Sequence, residues 1–310
     1  MKIIFKVRGF GTILSLLLLC SCATTSQKSA IVPAIELPAE ATINKNAGHG
    51  DWLYLTLRLE NGEELLFNVD TGAPITVLDK SLEPRLGKQL RKRTVRYAWK
   101  EATGNVYAAP KLFLGETRLL TGDQVWTDAL SRNLSRTNHT HHVMGILGMD
   151  CLRHYCVQLD FTAGQIRFLD PDHVETNYLG NAFPLILHPS GYVTTRENFA
   201  GAKDVTSIID TGCLVDGVLE PKAFELELRQ QKAAWTNQFD DPAGFRRCTA
   251  FYPEAVFGGK TYTNVFIDKA PIVLWNGRPY YINAIGLPFL ARHLVTFNFP
   301  KQTMYLLRHS

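Results

Sequence analysis

Apolar and polar residues alternate along most of the chain after residue 50, and this pattern predicts short β-strands. The clearest run carries leucine at every second position, which would place all four side chains on one face of a strand: Leu53, Leu55, Leu57 and Leu59. Asn61 and Gly62 follow and predict a hairpin turn. Only residues 220–235 have a convincing helical pattern. The pattern therefore predicts an all-β protein.

The N-terminal segment differs from the rest and has the features of an export signal. Lys2, Lys6 and Arg8 precede an apolar run from Phe10 to Leu19. That run has about half of the ~20 apolar residues that a membrane-spanning helix needs. We therefore expect residues 1–21 to be a cleaved signal peptide.

The end of this signal resembles a bacterial lipoprotein processing site. Leu19, Ser21 and Cys22 fit the pattern in which the last cysteine is acylated and becomes the mature N-terminus. Cys20 offers a poorer frame, because a small residue is expected before the modified cysteine. The resemblance implies a lipid-anchored protein of the cell envelope, and Ala23 favours the outer membrane, facing the periplasm. The alternative is a simple cleaved signal followed by a free chain.

Residues 22–47 are rich in Ala, Thr, Ser, Pro and Asn and show no sustained periodicity. Such a composition is typical of a flexible linker, and we expect a tether between the anchor and the folded part.

Composition and charge exclude some classes of function. The chain has 310 residues, of which 45% are hydrophobic and 20% charged, as in ordinary globular proteins. The formal net charge of +4 is modest. The densest basic stretch, residues 85–96, favours a solvated surface over a nucleic-acid site, because no nucleic-acid-binding motif accompanies it.

Two motifs occur twice, in the same order and at nearly the same spacing. The segment 148–161 (GMDCLRHYCVQLDF) matches the segment 286–299 (GLPFLARHLVTFNF) without a gap. Upstream, the tripeptide that begins at Asp70 recurs at Asp210, and both read Asp-Thr-Gly. The aspartate lies 78 residues before the glycine of the later motif in the first half and 76 residues before it in the second. Such spacing indicates a duplication, with lobes at 48–172 and 178–310.

The repeat also suggests a role for two cysteines. Cys151 aligns with Phe289 and Cys156 aligns with Leu294, so both are expected to fill core positions as small apolar residues. A Cys151–Cys156 disulfide is the alternative in an oxidising compartment. The cysteines of the mature chain are too few and too irregular for a disulfide framework or a zinc site.

Each Asp-Thr-Gly tripeptide lies between two apolar stretches. Residues 65–69 precede the first copy and residues 205–209 precede the second. A carboxylate on a tight turn between buried strands is costly unless it has a function. Glycine lets the backbone turn and pass close to a partner, and threonine offers a hydroxyl that can fix the loop.

These motifs resemble those of the pepsin and retroviral-protease group of aspartic peptidases. In that group an apolar residue precedes Asp-Thr-Gly, and two apolar residues followed by glycine come later, here at 146–148 and 284–286. The resemblance spans about residues 50–308. It implies a bilobal, all-β acid-protease fold in which two homologous barrel-like lobes enclose a central cleft.

The resemblance also implies a mechanism. Asp70 and Asp210 would meet at the base of the cleft, share one proton and activate a water that attacks the peptide carbonyl. Thr71 and Thr211 would lock the two loops to each other. Gly72 and Gly212 would leave room for the water and the substrate. A polypeptide substrate is expected, with no metal or organic cofactor, no nucleic acid and a monomeric chain. Activity only as a dimer of the two-lobed chain is an alternative.

The family's flap is placed by position in a hairpin from Val95 to Ala108 that turns around residues 103–105. Tyr97, Trp99 or Tyr107 could then close on the substrate, or could instead be core aromatics. A cluster of histidines, His139, His141 and His142, lacks a spaced set of partner ligands and favours a surface loop over a metal site.

One departure from the family concerns Cys213, which follows the second tripeptide where serine, threonine or alanine is usual. We expect it to be a tolerated small residue, because Asp, Thr and Gly are intact in both copies. The alternative function is a catalytically inactive relative that binds peptides or assists envelope assembly.

Overall fold

The fold is described from a computed structural model of the chain. It covers residues 36–38, 40–96, 101–130, 142–200, 205–230, 235–240, 246–270, 273–275, 278–280 and 282–309.

The first half of the described chain consists mainly of short strands. In chain order they are β1 (Ala41–Thr42), β2 (Tyr54–Leu59), β3 (Glu64–Val69), β4 (Val77–Asp79), β5 (Arg91–Arg96), β6 (Glu101–Ala108), β7 (Leu112–Leu114), β8 (Thr117–Arg118), β9 (Gln124–Asp128), β10 (Gly145–Leu147), β11 (Cys156–Asp160) and β12 (Gln165–Leu169). A 3₁₀ helix spans Lys80–Arg85, and helix α1 spans Met149–Leu152.

The second half repeats this organisation. Its strands are β13 (Asn181–Pro184), β14 (Ile186–Leu187), β15 (Val193–Thr195), β16 (Ser207–Asp210), β17 (Gly217–Leu219), β18 (Trp235–Asp240), β19 (Arg246–Phe257), β20 (Lys260–Lys269), β21 (Val273–Trp275), β22 (Arg278–Tyr280), β23 (Asn283–Gly286), β24 (His293–Asn298) and β25 (Thr303–Arg308). Its helices are α2 (Pro221–Gln230), α3 (Leu287–Leu290) and a 3₁₀ turn at Thr176–Tyr178.

Two large sheets have matching strand orders and define the two lobes. The sheet of the N-terminal lobe has the order β5-β6-β9-β4-β10-β3-β2-β7-β8. The sheet of the C-terminal lobe has the order β18-β19-β20-β17-β23-β16-β15-β14. The pairing directions also match, because β10–β3 and β16–β23 are parallel whereas β10–β4 and β17–β23 are antiparallel. The all-β fold expected from the sequence is confirmed.

A third sheet joins the lobes and has the order β1-β12-β11-β24-β25-β13. Its two central strands, β11 and β24, come from the two copies of the later repeat and run antiparallel. Gln158 pairs with Thr296, its own repeat counterpart, and the Gln158 amide donates a hydrogen bond of 3.0 Å to the Thr296 hydroxyl. The duplication thus places an approximate two-fold axis at this pair.

The hairpin of β2 and β3 forms where the leucine alternation and the Asn-Gly turn predicted it. Leu53, Leu55 and Leu57 are buried, and Gly62 adopts a positive φ of 88° in the turn between β2 and β3. The helix predicted over residues 220–235 is real but shorter, since α2 ends at Gln230 and Trp235 begins strand β18. Pro221 at its first position is typical of a helix start.

The second predicted hairpin exists, but its turn was placed wrongly. Arg96 pairs with Glu101, and residues 103–105 are paired inside β6. Gly104 misled the prediction because it is required for packing and not for turning. A Cβ at Gly104 would lie 2.4 Å from the indole nitrogen of Trp126.

The folded body begins before residue 48, so the last part of the expected tether is structured. Strand β1 pairs with β12, and it is the counterpart of β13 at the opposite edge of the joining sheet. Ile43 and Ala47 are buried in the core. The earlier part of the tether, residues 22–35, and the expected signal peptide lie outside the described residues.

The core is continuous through both lobes. Cys151 and Cys156 are fully buried thiols that form no disulfide with each other, which agrees with the core positions expected from the repeat. Burial raises the pKa of the Cys156 thiol to about 12, so it remains protonated at ordinary pH. Among the described residues, no helix is long and apolar enough to cross a bilayer.

Candidate active site

The two Asp-Thr-Gly tripeptides form equivalent turns at the ends of the buried strands β3 and β16. The Asp70 main-chain N–H donates to the carbonyl of Leu147 in β10 at 3.0 Å, which ties the first turn to the later motif of the same lobe. In each turn the glycine N–H donates to the aspartate Oδ1, at 2.8 Å from Gly72 to Asp70 and at 2.9 Å from Gly212 to Asp210. These bonds fix the orientation of both carboxyls.

The turns bring the carboxyl of each lobe over the glycine of the other. A Cβ at Gly72 would lie 2.4 Å from Oδ1 of Asp210, and a Cβ at Gly212 would lie 2.6 Å from Oδ2 of Asp70. Any side chain at either position would therefore collide with the opposite carboxyl. The two glycines are the reason why Asp70 and Asp210 can approach each other.

The threonines connect the two turns through four reciprocal hydrogen bonds. The Thr71 N–H donates to the Thr211 hydroxyl at 3.0 Å, and the Thr211 N–H donates to the Thr71 hydroxyl at 3.1 Å. Each hydroxyl then donates across the lobes at 2.7 Å, from Thr71 to the carbonyl of Ile209 and from Thr211 to that of Val69. Both threonines are buried, so these bonds are shielded from water.

The later motif supports each turn from behind. A Cβ at Gly148 would lie 2.6 Å from the carbonyl oxygen of Ile75, and a Cβ at Gly286 would lie 1.9 Å from that of Val215. The first N–H groups of α1 and α3 donate to the two turns at 2.8 and 2.9 Å. The glycine of the later motif is therefore required in both lobes for close backbone packing.

The electrostatics of the pair favour retention of one proton. Burial raises the pKa of Asp210 well above its usual value, and the negative charge of Asp70 raises it further. Burial also raises the pKa of Asp70, although hydrogen bonds from the Gly72 N–H and from Asp210 partly offset this. Two carboxyls that interact so strongly titrate as one unit. With Asp210 protonated and Asp70 ionised, the pair combines a general acid with a general base.

Cys213 follows the second turn without disturbing it. Its thiol lies 3.7 Å from the carbonyl oxygen of Val215, and a Cβ at Gly286 would lie 3.1 Å from its sulfur. The thiol therefore packs against the support behind the turn.

The positions next to the turns differ between the lobes. In the N-terminal lobe the Thr76 hydroxyl donates to Asp150 at 2.7 Å. In the C-terminal lobe Asp216 is buried and forms an ion pair with Arg292 at 2.9 Å. Sequence reasoning did not assign Arg292 a role, although its repeat counterpart, His154, marks the position as polar.

Trp52 is a second residue that sequence reasoning missed. Its indole N–H donates to the carbonyl of Gly212 at 3.0 Å, so this N-terminal-lobe side chain reaches the turn of the other lobe. Trp52 is 8% exposed and belongs to a small apolar cluster with Tyr54 and Val143, against which Leu214 packs. In the sequence, its position just before strand β2 was the only indication that it could be buried near the site.

The three expected flap residues have different outcomes. Tyr97 and Trp99 lie outside the described residues. Tyr107 is 5% exposed and belongs to the hydrophobic core, which is the alternative that the sequence left open. On the opposite face of the same hairpin, Val106 packs with Trp126 beside a cavity of about 260 Å³.

Of the expected lipidation site and the histidines that the sequence assigned to a surface loop, only His142 lies within the described residues. Cys22, His139 and His141 lie outside the described residues, and His142 is exposed. Within the part of the chain that the structure describes, no group of three or more His, Cys, Asp or Glu side chains could hold a metal ion.

Comparisons with known proteins agree with this geometry. An aspartyl protease family model matches residues 55–151, which include the first tripeptide and the first copy of the later motif. None of the curated proteins matches the sequence. Among solved structures, basic 7S globulin from soybean is similar over 89% of this chain and 96% of its own, with a TM-score of 0.52 and 13% identity. At that identity the likeness shows the fold alone.

Proposed function

We propose that the chain is an aspartic endopeptidase that hydrolyses peptide bonds with a water held between Asp70 and Asp210. The observation that carries this proposal is the reciprocal packing of each carboxyl over the glycine of the other turn. The raised pKa values of both carboxyls support a shared proton. The aspartyl protease match over residues 55–151 supports the same reaction class.

In this mechanism the two carboxyls have complementary roles. Ionised Asp70 takes a proton from the water as its oxygen attacks the substrate carbonyl, and protonated Asp210 donates a hydrogen bond to the carbonyl oxygen. The proton that Asp70 took from the water then passes to the leaving amine as the C–N bond breaks. The hydrogen bonds from the two glycine N–H groups and the bonds between the threonines keep the carboxyls in place during these steps.

We also propose where the enzyme acts. The apolar run and the Leu19–Cys22 sequence support export and a lipid on Cys22, with the folded body in the bacterial cell envelope. The proposed substrate there is a polypeptide. Metabolic labelling with a palmitate analogue tests the lipid on Cys22, since Cys22→Ser should abolish the label and Cys20→Ser should leave it.

The alternative function is peptide binding without cleavage. It is favoured by one finding, since the soybean protein of similar fold is named as a globulin and not as a peptidase. The intact pair of carboxyls favours the enzyme, because two carboxyls held so close together without a function would cost stability.

The test is cleavage of an unfolded protein across a range of pH. We expect the wild-type chain to cleave, and Asp70→Asn and Asp210→Asn each to lose at least about 10³-fold in rate, as expected for removal of a member of a catalytic unit. Asp172→Asn makes the same chemical change at an exposed carboxyl and should leave the rate unchanged. Binding of a peptide by the wild type without cleavage at any pH would support the alternative.

A further inference from the structure

Trp52 touches the C-terminal turn at a peptide unit that also contacts a carboxyl of the pair. Its indole N–H donates to the Gly212 carbonyl, which is one end of the Gly212–Cys213 peptide. The N–H at the other end of this peptide belongs to Cys213; it donates to the Asp210 main-chain carbonyl oxygen at 3.1 Å and also acts to lower the pKa of the Asp210 carboxyl. The N–H of Gly212 itself donates to Oδ1 of the same carboxyl at 2.9 Å. One planar peptide therefore lies between Trp52 and Asp210.

A peptide that accepts a hydrogen bond at its carbonyl becomes a better donor at its N–H, because the two groups polarise each other. Donation to a carboxyl stabilises its ionised form. A donor at the Gly212 carbonyl would therefore stabilise negative charge on Asp210 and also hold the orientation of the turn.

The backbone at Trp52 is held by a partly buried polar network. The Trp52 main-chain N–H donates to the Asp51 carboxylate at 2.9 Å, and the Asn44 amide donates to the Trp52 carbonyl at 2.9 Å. Asn44 also accepts the Tyr54 N–H at 2.9 Å. These bonds hold the backbone around Trp52, and the packing of its ring with Tyr54 and Val143 restricts the direction of the indole N–H.

We infer that Trp52 is a positioning residue for the proposed peptidase reaction, acting on Asp210 from the opposite lobe through the Gly212–Cys213 peptide. This inference rests on the proposed function for its kinetic consequences. Among the described titratable groups, Asp70 is the one whose charge acts on the Asp210 carboxyl, so the effect of Trp52 is superimposed on that coupling.

The test is Trp52→Phe, which keeps an aromatic ring and removes the N–H donor. Loss of one neutral hydrogen bond at the reacting group should lower kcat about fivefold. The upper pKa of the kcat/KM profile should rise by about half a unit, because ionised Asp210 loses part of its stabilisation. KM should change less than about twofold, since the Trp52 side chain is buried and offers little surface to a substrate.

Tyr54→Phe is the matched control. It removes a hydroxyl from the same apolar cluster, where Tyr54 hydrogen-bonds Asp51, and it leaves the donor to Gly212 intact. It should therefore reproduce any general loss of stability without moving the upper pKa. Equal pH profiles for Trp52→Phe and Tyr54→Phe would overturn the inference.

A second measurement does not need activity. Carboxyl ¹³C NMR titration of Asp210 should give a higher pKa in Trp52→Phe than in the wild type or in Tyr54→Phe. If the wild type cleaves nothing and this shift is seen, the proposed function fails and the positioning role stands. An unchanged Asp210 titration in Trp52→Phe overturns the inference, whether or not the chain is a peptidase.

Discussion

At the scale of single residues, the two turns are held together by buried threonines whose hydrogen bonds are made across the boundary between the lobes. Thr211 is the clearest case, since it is fully buried and its hydroxyl both accepts from Thr71 and donates to Val69. A buried polar group lowers the free energy of unfolding little when all its hydrogen bonds are made, but much more when one partner is removed.

The consequence can be measured by substitution at Thr211. Thr211→Ala leaves the Thr71 N–H and the Val69 carbonyl without their partner, so the free energy of unfolding in urea should fall by about 2 to 4 kcal/mol. Thr211→Ser keeps the hydroxyl and should cost about 1 kcal/mol or less for the lost methyl group. Equal losses in the two variants would contradict the role assigned to the hydroxyl.

The raised pKa of Asp210 has a consequence for stability. A carboxyl whose pKa is higher in the folded state binds more protons folded than unfolded, so stability falls as pH rises above its unfolded pKa of about 4. Relative to Asp210→Asn, the wild type should lose up to about 1.4 kcal/mol of unfolding free energy per pH unit until the pair is ionised. Parallel pH curves for the two proteins would contradict a raised pKa.

At the scale of elements, the later repeat motif supports the turns and also anchors the strands that follow. His293 follows helix α3 at the start of β24 and is fully buried. Its Nδ1 lies 3.1 Å from the Phe289 carbonyl oxygen and its Nε2 lies 3.0 Å from the Tyr262 hydroxyl. A carbonyl can only accept, so Nδ1 carries the proton, and neutral Nε2 accepts from Tyr262.

This arrangement predicts a loss of stability in acid. Burial lowers the pKa of His293 from 6.5 to about 4, so the unfolded chain takes up the proton first as pH falls. Stability from this group is complete above pH 6.5 and should be lost between pH 6.5 and 4, by on the order of 3 kcal/mol. His293→Asn should flatten that part of the curve of unfolding free energy against pH. A slope that persists in the variant would contradict this assignment.

At the scale of the whole molecule, one sheet contains strands from both halves of the repeat and joins them. Its outer strand β1 lies in a segment whose composition suggested a linker. Because Ile43 and Ala47 are buried, this segment is part of the folded body.

Truncation tests that boundary. A chain that begins at residue 48 loses β1 and the buried Ile43, and its unfolding free energy should be lower by about 3 kcal/mol or more than that of a chain beginning at residue 36. If the two chains unfold at the same urea concentration, residues 41–47 are a tether after all.

How far the sequence could predict these features depends on how local the cause of each one is. The leucine alternation from Leu53 and the repeated Asp-Thr-Gly turns result from short-range pattern and duplication, so both could be predicted. Gly104 could not be interpreted, because its cause is the indole of Trp126 on a neighbouring strand. The contact from Trp52 to Gly212 joins residues 160 positions apart, and no sequence pattern indicates it.

The most direct test of the central claim, that Asp70 and Asp210 act as one unit with a shared proton, is the pH dependence of kcat/KM for cleavage of a peptide substrate. We expect a bell-shaped profile whose two limbs are the two titration steps of the pair, with the activity abolished by either Asp→Asn substitution. A profile with a single limb, or residual activity in Asp210→Asn that follows the wild-type pH dependence, would contradict the shared-proton mechanism.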